Sequence, residues 1–181
     1  MKNNVEITFN SKRKILLIFI KICFISIGIF FLIKANDFEP FWVIRSAWVL
    51  RIAGLIAIAY FGTLFILYLK VAARKVALII DKEGIVDRSS FVGVGRILWS
   101  QISEIKTHES NSASYVLVFV NKPADIIKNS RNWFERWHLR VQNRSFRTPV
   151  AIPMIALNIY IDDLESLLLS RLEDYKNGVG A

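Results

Sequence analysis

ILLIFIKICFISIGIFFLI (Ile15–Ile33) and IAGLIAIAYFGTLFILYL (Ile52–Leu69) are the two stretches whose reading decides the fold. At 1.5 Å per residue, each is long enough to cross about 30 Å of hydrocarbon as a helix. The second contains no charge, and the first contains one, Lys21. A lysine there is costly at mid-bilayer but tolerable if its side chain snorkels to the interface. Gly54, Ala57, Ala59 and Gly62 are small enough to let a second helix approach closely. The apolar run of the first stretch is longer than the about 7–15 residues of a signal peptide, and no small-x-small cleavage site follows it. The pair therefore reads as two transmembrane helices.

Charge around these stretches sets an expected orientation. The chain has 181 residues, 54% of them hydrophobic, with a mean hydropathy of +0.39 and a formal charge of +9. Nine Lys/Arg face three acids up to Lys70, against fifteen and twelve beyond it, so most of the excess lies beside the apolar stretches. Lys12, Arg13 and Lys14 precede the first; Lys70, Arg74 and Lys75 follow the second. The cationic bias predicts both termini in the cytoplasm. The connecting loop carries Phe38, Phe41, Trp42 and Trp48, residues suited to the water–lipid interface, and Lys34, Arg45 and Arg51 beside Asp37 and Glu39; Arg45 and Arg51 count against the bias. A basic pI next to membrane segments reads as topogenic charge and attraction to anionic lipid; nucleic acid is not an expected partner.

The expected organisation is a cytoplasmic segment over 1–14, helices over 15–33 and 52–69, an extracytoplasmic loop over 34–51, and a cytoplasmic domain over 70–181. About 110 residues suffice for one compact core. In that domain Val76–Ile80, Ile85–Arg88, Arg96–Trp99, an alternating run through Ile102, Ile105 and Thr107, and Tyr115–Val120 read as strands separated by short turns. No helix of crossover length separates them, so the sheet is expected to be antiparallel. After Pro123 the pattern turns helical through Ile126, Ile127, Trp133, Phe134 and Trp137; strand character is expected again at Leu139–Val141 and Ser145–Ile152. The last element is a helix with Asp162 as its expected cap, Asp163 and Glu165 near its positive end, and one stripe of Leu164, Leu167, Leu168 and Leu172; it should stop near Asn177-Gly178.

A strand meander closed by a C-terminal amphipathic helix is the layout of a PH-like domain, a bent antiparallel sheet or partly open barrel plugged by that helix. The expected fold class is thus a membrane α-hairpin plus an α+β PH-like domain. ALIIDKEGIVDRSS (Ala77–Ser90), LWSQISEI (Leu98–Ile105), and RTPVAIPMIALNI followed by DDLESLLL (Arg147–Leu169) resemble a family of uncharacterised bacterial proteins. These have two N-terminal transmembrane helices and a cytoplasmic PH-like domain. Trp99 with Ile102 and Ile105, and the Thr148-Pro149 turn, recur together in that group; Lys122–Arg136 departs from it. The resemblance implies architecture and an inner-membrane location, and it implies no activity.

Catalytic patterns are sparse. His108 and His138 have no second ligand at i+3 or i+4, and the single cysteine, Cys23, lies in the first apolar stretch. Gly93-x-Gly95 lacks the third glycine and following helix of a dinucleotide loop and reads as a bend. The neighbouring Asp162 and Asp163 are explained by a helix start. No cofactor, metal site or catalysis is expected. The region that stands out is Lys122–Arg147, where Lys122, Lys128, Arg131, Arg136, Arg140, Arg144 and Arg147 are interleaved with Trp133, Phe134 and Trp137. Cations beside interfacial aromatics suit an anionic bilayer surface or a protein partner. The plainer alternative is a solvated helix face with its tryptophans buried. The whole-protein alternatives are an accessory subunit of a larger membrane complex and a membrane-bound enzyme.

Overall fold

A computed structural model describes residues 4–37, 46–110 and 113–178. Two compact units are present: Ser11–Ala73, and Met1–Asn10 joined with Arg74–Ala181. The expectations for Phe38, Phe41, Trp42 and Arg45 lie outside the described residues.

The first unit is a pair of helices, α1 (Ser11–Lys34) and α2 (Ala47–Ala72). Both extend past the apolar runs that announce them, because the flanking Ser11–Lys14 and Ala47–Arg51 contain no helix breaker. Ser46 caps α2, its hydroxyl accepting the Trp48 N–H at 3.3 Å. The helices run antiparallel: Lys14 Nζ donates to the Ala72 carbonyl at 2.7 Å near one end, and Arg51 Nη2 to Asn36 Oδ1 at 3.1 Å near the other. Gly28 and Gly54 are where the backbones approach. A Cβ on Gly54 would stand 2.6 Å from the Gly28 carbonyl oxygen, and one on Gly28 3.0 Å from that of Gly54. Phe24 and Phe61 stack with ring centroids 4.3 Å apart. Of the expected small-residue face, Gly54 and Ala57 meet α1, whereas a Cβ at Gly62 would meet nothing. Lys21 Nζ donates to the Leu17 carbonyl one turn earlier, so its side chain runs back toward the start of α1, the direction a snorkelling lysine takes. Only 6% of each helix's apolar window is buried, whereas the core helix of a soluble protein is mostly covered.

The second unit contains two antiparallel sheets. One has the order β1 (Val5–Thr8), β2 (Val76–Ile80), β3 (Gly84–Asp87), β4 (Gly95–Leu98). The other has β5 (Ile102–Glu109), β6 (Ser114–Val120) and β7 (Val150–Pro153) in that order. A 3-10 turn, Trp99–Gln101, links the sheets along the chain. They also meet where Phe9 bridges Leu157, with Asn10 N–H donating to Ala156 O at 2.8 Å and Asn158 N–H to Thr8 O at 3.0 Å. Two short helices, α3 (Pro123–Lys128) and α4 (Trp133–Phe146), lie between β6 and β7. The terminal helix α5 (Ile161–Lys176) packs on β5 and β6. Period-two alternation sends Leu78, Ile80, Ile85, Ile97, Val116, Val118 and Ile152 inward, and Trp99 and the α5 residues Leu164 and Leu168 are buried as well. Trp99 Nε1–H is satisfied by the Asp81 carbonyl at 3.0 Å.

Three readings of the sequence are corrected. Residues 1–14 contain a strand: Ile7 pairs with Leu78, so β1 belongs to the same unit as the chain after α2. Leu139–Val141 and Ser145–Phe146 are helical, because Asn132 caps α4 and the helix runs unbroken until Arg147 turns it off at φ 60°. Asp162 does not cap α5. Tyr160 holds that position without a side-chain bond, and Asp162 and Asp163 sit in the first turn, where their charges still suit the helix's positive end. The stop at Asn177-Gly178 is as expected, with Gly178 at φ 70°.

Candidate functional site

The basic–aromatic region is organised by α4. Asn132 Oδ1 accepts the Glu135 N–H at 2.8 Å, and Glu135 Oε2 accepts the Arg131 N–H at 3.0 Å, so the first turn is closed by its own side chains. One face turns inward. Leu139 is buried, Phe134 stacks on Phe91 with centroids 6.2 Å apart, His138 meets the same ring edge-on, and Gln142 Nε2 donates to Ala151 O. Phe146 closes the helix against Tyr115 and His108. Behind it, buried Thr148 donates to the Val118 carbonyl and accepts the Val150 N–H, tying the end of α4 to β6 and β7. Burial lowers the pKa of His138 and so favours its neutral form.

The other face turns outward and is unusual for its chemistry. Trp133 is 76% exposed, Trp137 53% and Val141 46%. Arg140 and Arg144 are exposed too. At about 100° per residue these five side chains fall within an arc of about 100°. Two rings, Trp133 and Trp137, lead the stripe, and Arg140 and Arg144 flank Val141 further along it. Between this stripe and α3 lies a shallow groove of about 670 Å³ whose walls include Ile127, Trp137 and Arg140.

The sequence-predicted residues thus separate. Trp133, Trp137, Arg140 and Arg144 come together; Phe134 is turned into the domain. Arg136 is half-buried, its Nη2 bonded to the Lys128 carbonyl at 3.2 Å. Lys122 and Lys128 are exposed beside and at the end of α3, and Arg147 is exposed at the left-handed end of α4. Arg131 precedes α4 and faces a different depression, with Arg74 and Arg88. Val141 was not singled out from the sequence, although its i+4, i+8 relation to Trp137 and Trp133 was the signal. Among the described residues, no three His, Cys, Asp or Glu side chains are grouped to hold a metal ion. His108 lies against Phe146, and Cys23 is half-buried in α1.

What the residues define at the level of class is a pair of apolar helices followed by an α+β domain of antiparallel sheet and C-terminal helix. Comparison of the chain with protein-family models, with curated proteins and with solved structures gives no match.

Proposed function

We propose that this chain is an integral protein of a bacterial inner membrane, anchored by α1 and α2 with both termini in the cytoplasm. Its domain is a PH-like interaction module whose α4 docks on anionic lipid; it is not an enzyme. The order of four antiparallel strands, three antiparallel strands and a terminal helix supports the PH-like assignment. The pairing of β1 with β2 supports a hairpin anchor. β1 precedes α1 and β2 follows α2, and a hydrogen-bonded strand pair cannot be divided by a bilayer. The cations Lys12–Lys14, Lys70 and Lys75 support a cytoplasmic location for that shared side.

The observation that carries the docking role is the outward exposure of Trp133 and Trp137 in line with Arg140 and Arg144. Buried tryptophans would have made the region a plain solvated helix. Indole rings favour the headgroup boundary, and each arginine near an anionic surface contributes about 1 kcal/mol. A tethered domain needs little more than that, because its local concentration at the surface is already high.

The test uses the full-length chain with Cys23→Ser and an environment-sensitive dye on Val141→Cys, reconstituted in nanodiscs. Emission should shift to the blue in phosphatidylglycerol relative to phosphatidylcholine discs, and Arg140→Gln with Arg144→Gln should remove the shift. Equal emission in the two lipids would contradict docking on anionic lipid.

A further inference from the structure

A second depression, of about 360 Å³, lies between the β3–β4 connection and the start of α4. Three arginines from separate parts of the chain line it: Arg74 before β2, Arg88 after β3, and Arg131 before α4. Arg74 is held in place, its Nη1 donating to the carbonyls of Arg88 and Ser90, each at 3.0 Å. Arg88 and Arg131 are exposed, and among the described residues neither guanidinium is paired with a carboxylate. Arg96 on β4 shows the contrast, since Asp81 and Glu83 both engage it at 2.8 Å.

Two carboxylates share this lining, and both are engaged elsewhere. Asp87 is 3% exposed and accepts the Ser89 N–H and hydroxyl at 2.8 and 2.6 Å. Burial pushes its carboxyl upward, which weakens its negative charge in the depression; the Ser89 bonds and Arg74 oppose this. Glu135 accepts the Arg131 backbone N–H. The connection turns through Gly95 at φ 79°, where a Cβ would meet no atom, so the wall stays open there.

We propose that this depression binds the phosphate of a membrane phospholipid headgroup. Planar guanidinium forks match phosphate oxygens in pairs, and three around one cavity make a phosphate the fitting anion. The source follows from the chain. Arg74 stands two residues beyond Ala72, the end of α2, and two residues span at most about 7 Å. The headgroup layer beyond the hydrocarbon is itself about 5–7 Å thick. With the apolar run of α2 ending at Leu69, Arg74 lies within about 12 Å of the hydrocarbon edge, in the headgroup layer or directly above it. This rests on the membrane reading above, but it is independent of docking by α4.

The experiment is calorimetric titration of the full-length protein, in a neutral detergent, with short-chain phosphatidylglycerol, short-chain phosphatidylcholine and inorganic phosphate. Saturable binding of phosphatidylglycerol, with inorganic phosphate at least about tenfold weaker, is expected. Arg88→Gln with Arg131→Gln should weaken the lipid about tenfold or more, the loss expected when charge-assisted bonds are removed. Arg88→Lys should retain part of the affinity, and Lys82→Gln, at an exposed cation outside both the depression and α4, should leave it unchanged. No saturable binding, or equal affinity in the Arg88/Arg131 variant, overturns the site. Inorganic phosphate binding as tightly as the lipid overturns the lipid assignment. If this titration fails while the Val141 dye still reports anionic lipid, the arginine site is wrong and docking by α4 stands. The opposite pair of results rejects docking by α4 and keeps the arginine site.

Discussion

α4 and α5 are amphipathic helices of 14 and 16 residues in the same unit, and they spend their large side chains in opposite ways. α5 buries Leu164, Leu168 and Leu172 against β5 and β6. α4 buries only Leu139 and leaves Trp133, Trp137 and Val141 outside. Both show apolar residues at helical spacing, so spacing alone does not say what a helix is for. The difference lies in what flanks the stripe. In α5 the leucines are bounded by acids on the solvent side, whereas the α4 tryptophans have arginines within the stripe itself. Aliphatic residues without charge among them suit a dry core. Indoles mixed with guanidinium groups suit a surface that is both apolar and anionic.

The largest effect that could break this contrast is on stability. Leu168→Ala removes a fully buried side chain and should cost about 2–5 kcal/mol, read as a large drop in melting temperature. Trp137→Ala should stay within about 0.5 kcal/mol, as surface substitutions do. Similar losses for the two would mean that α4 is a core helix like α5. Next in size is Ile7→Ala in β1, which should cost about 2 kcal/mol, because Ile7 is buried in the sheet with β2. An unchanged melting profile would detach the N-terminal strand from the domain.

The membrane side of the contrast gives smaller numbers. Arg140→Gln and Arg144→Gln should each weaken docking on phosphatidylglycerol surfaces by about 1 kcal/mol, with the effect fading at high salt. Matching charge removals at Glu165 and Arg171 of α5 should not alter the Val141 dye signal. The smallest effect is pH-dependent and concerns the floor of the arginine groove. Because burial raises the Asp87 carboxyl above its unfolded value, the protonated form is favoured in the folded protein. Its contribution is therefore fully present below the unfolded pKa and is lost as pH rises through the folded one. Asp87→Asn should raise the melting temperature at pH 7.5, and this gain should shrink toward pH 4. A gain that grows on acidification would reverse the assigned sign.

How much of this was legible depended on how far apart the interacting residues lie. The two helices announce themselves through long apolar runs, and the strands β2 to β6 through β-branched alternation and turn residues. β1 did not. Val5–Thr8 is four residues long, and its meaning lies in Leu78, on the far side of both helices. Leu139–Val141 reads as a strand in isolation, but the Asn132 cap sets a helical phase that three residues cannot override. The candidate face was half legible. Composition marked Lys122–Arg147, while the side that turned inward was set by Phe91 and Ala151, partners from other elements. The grouping of Arg74, Arg88 and Arg131 left no local trace at all, since three separate segments supply them.

Everything proposed for α4 and for the groove depends on the two apolar helices crossing a bilayer as a hairpin with the domain inside the cell. The most direct measurement places single cysteines at Asn4 and Lys176, in a Cys23→Ser background, and treats intact bacterial cells with a membrane-impermeant thiol reagent. Both positions should stay unlabelled until the cells are permeabilised. Labelling of either one in intact cells would contradict the account.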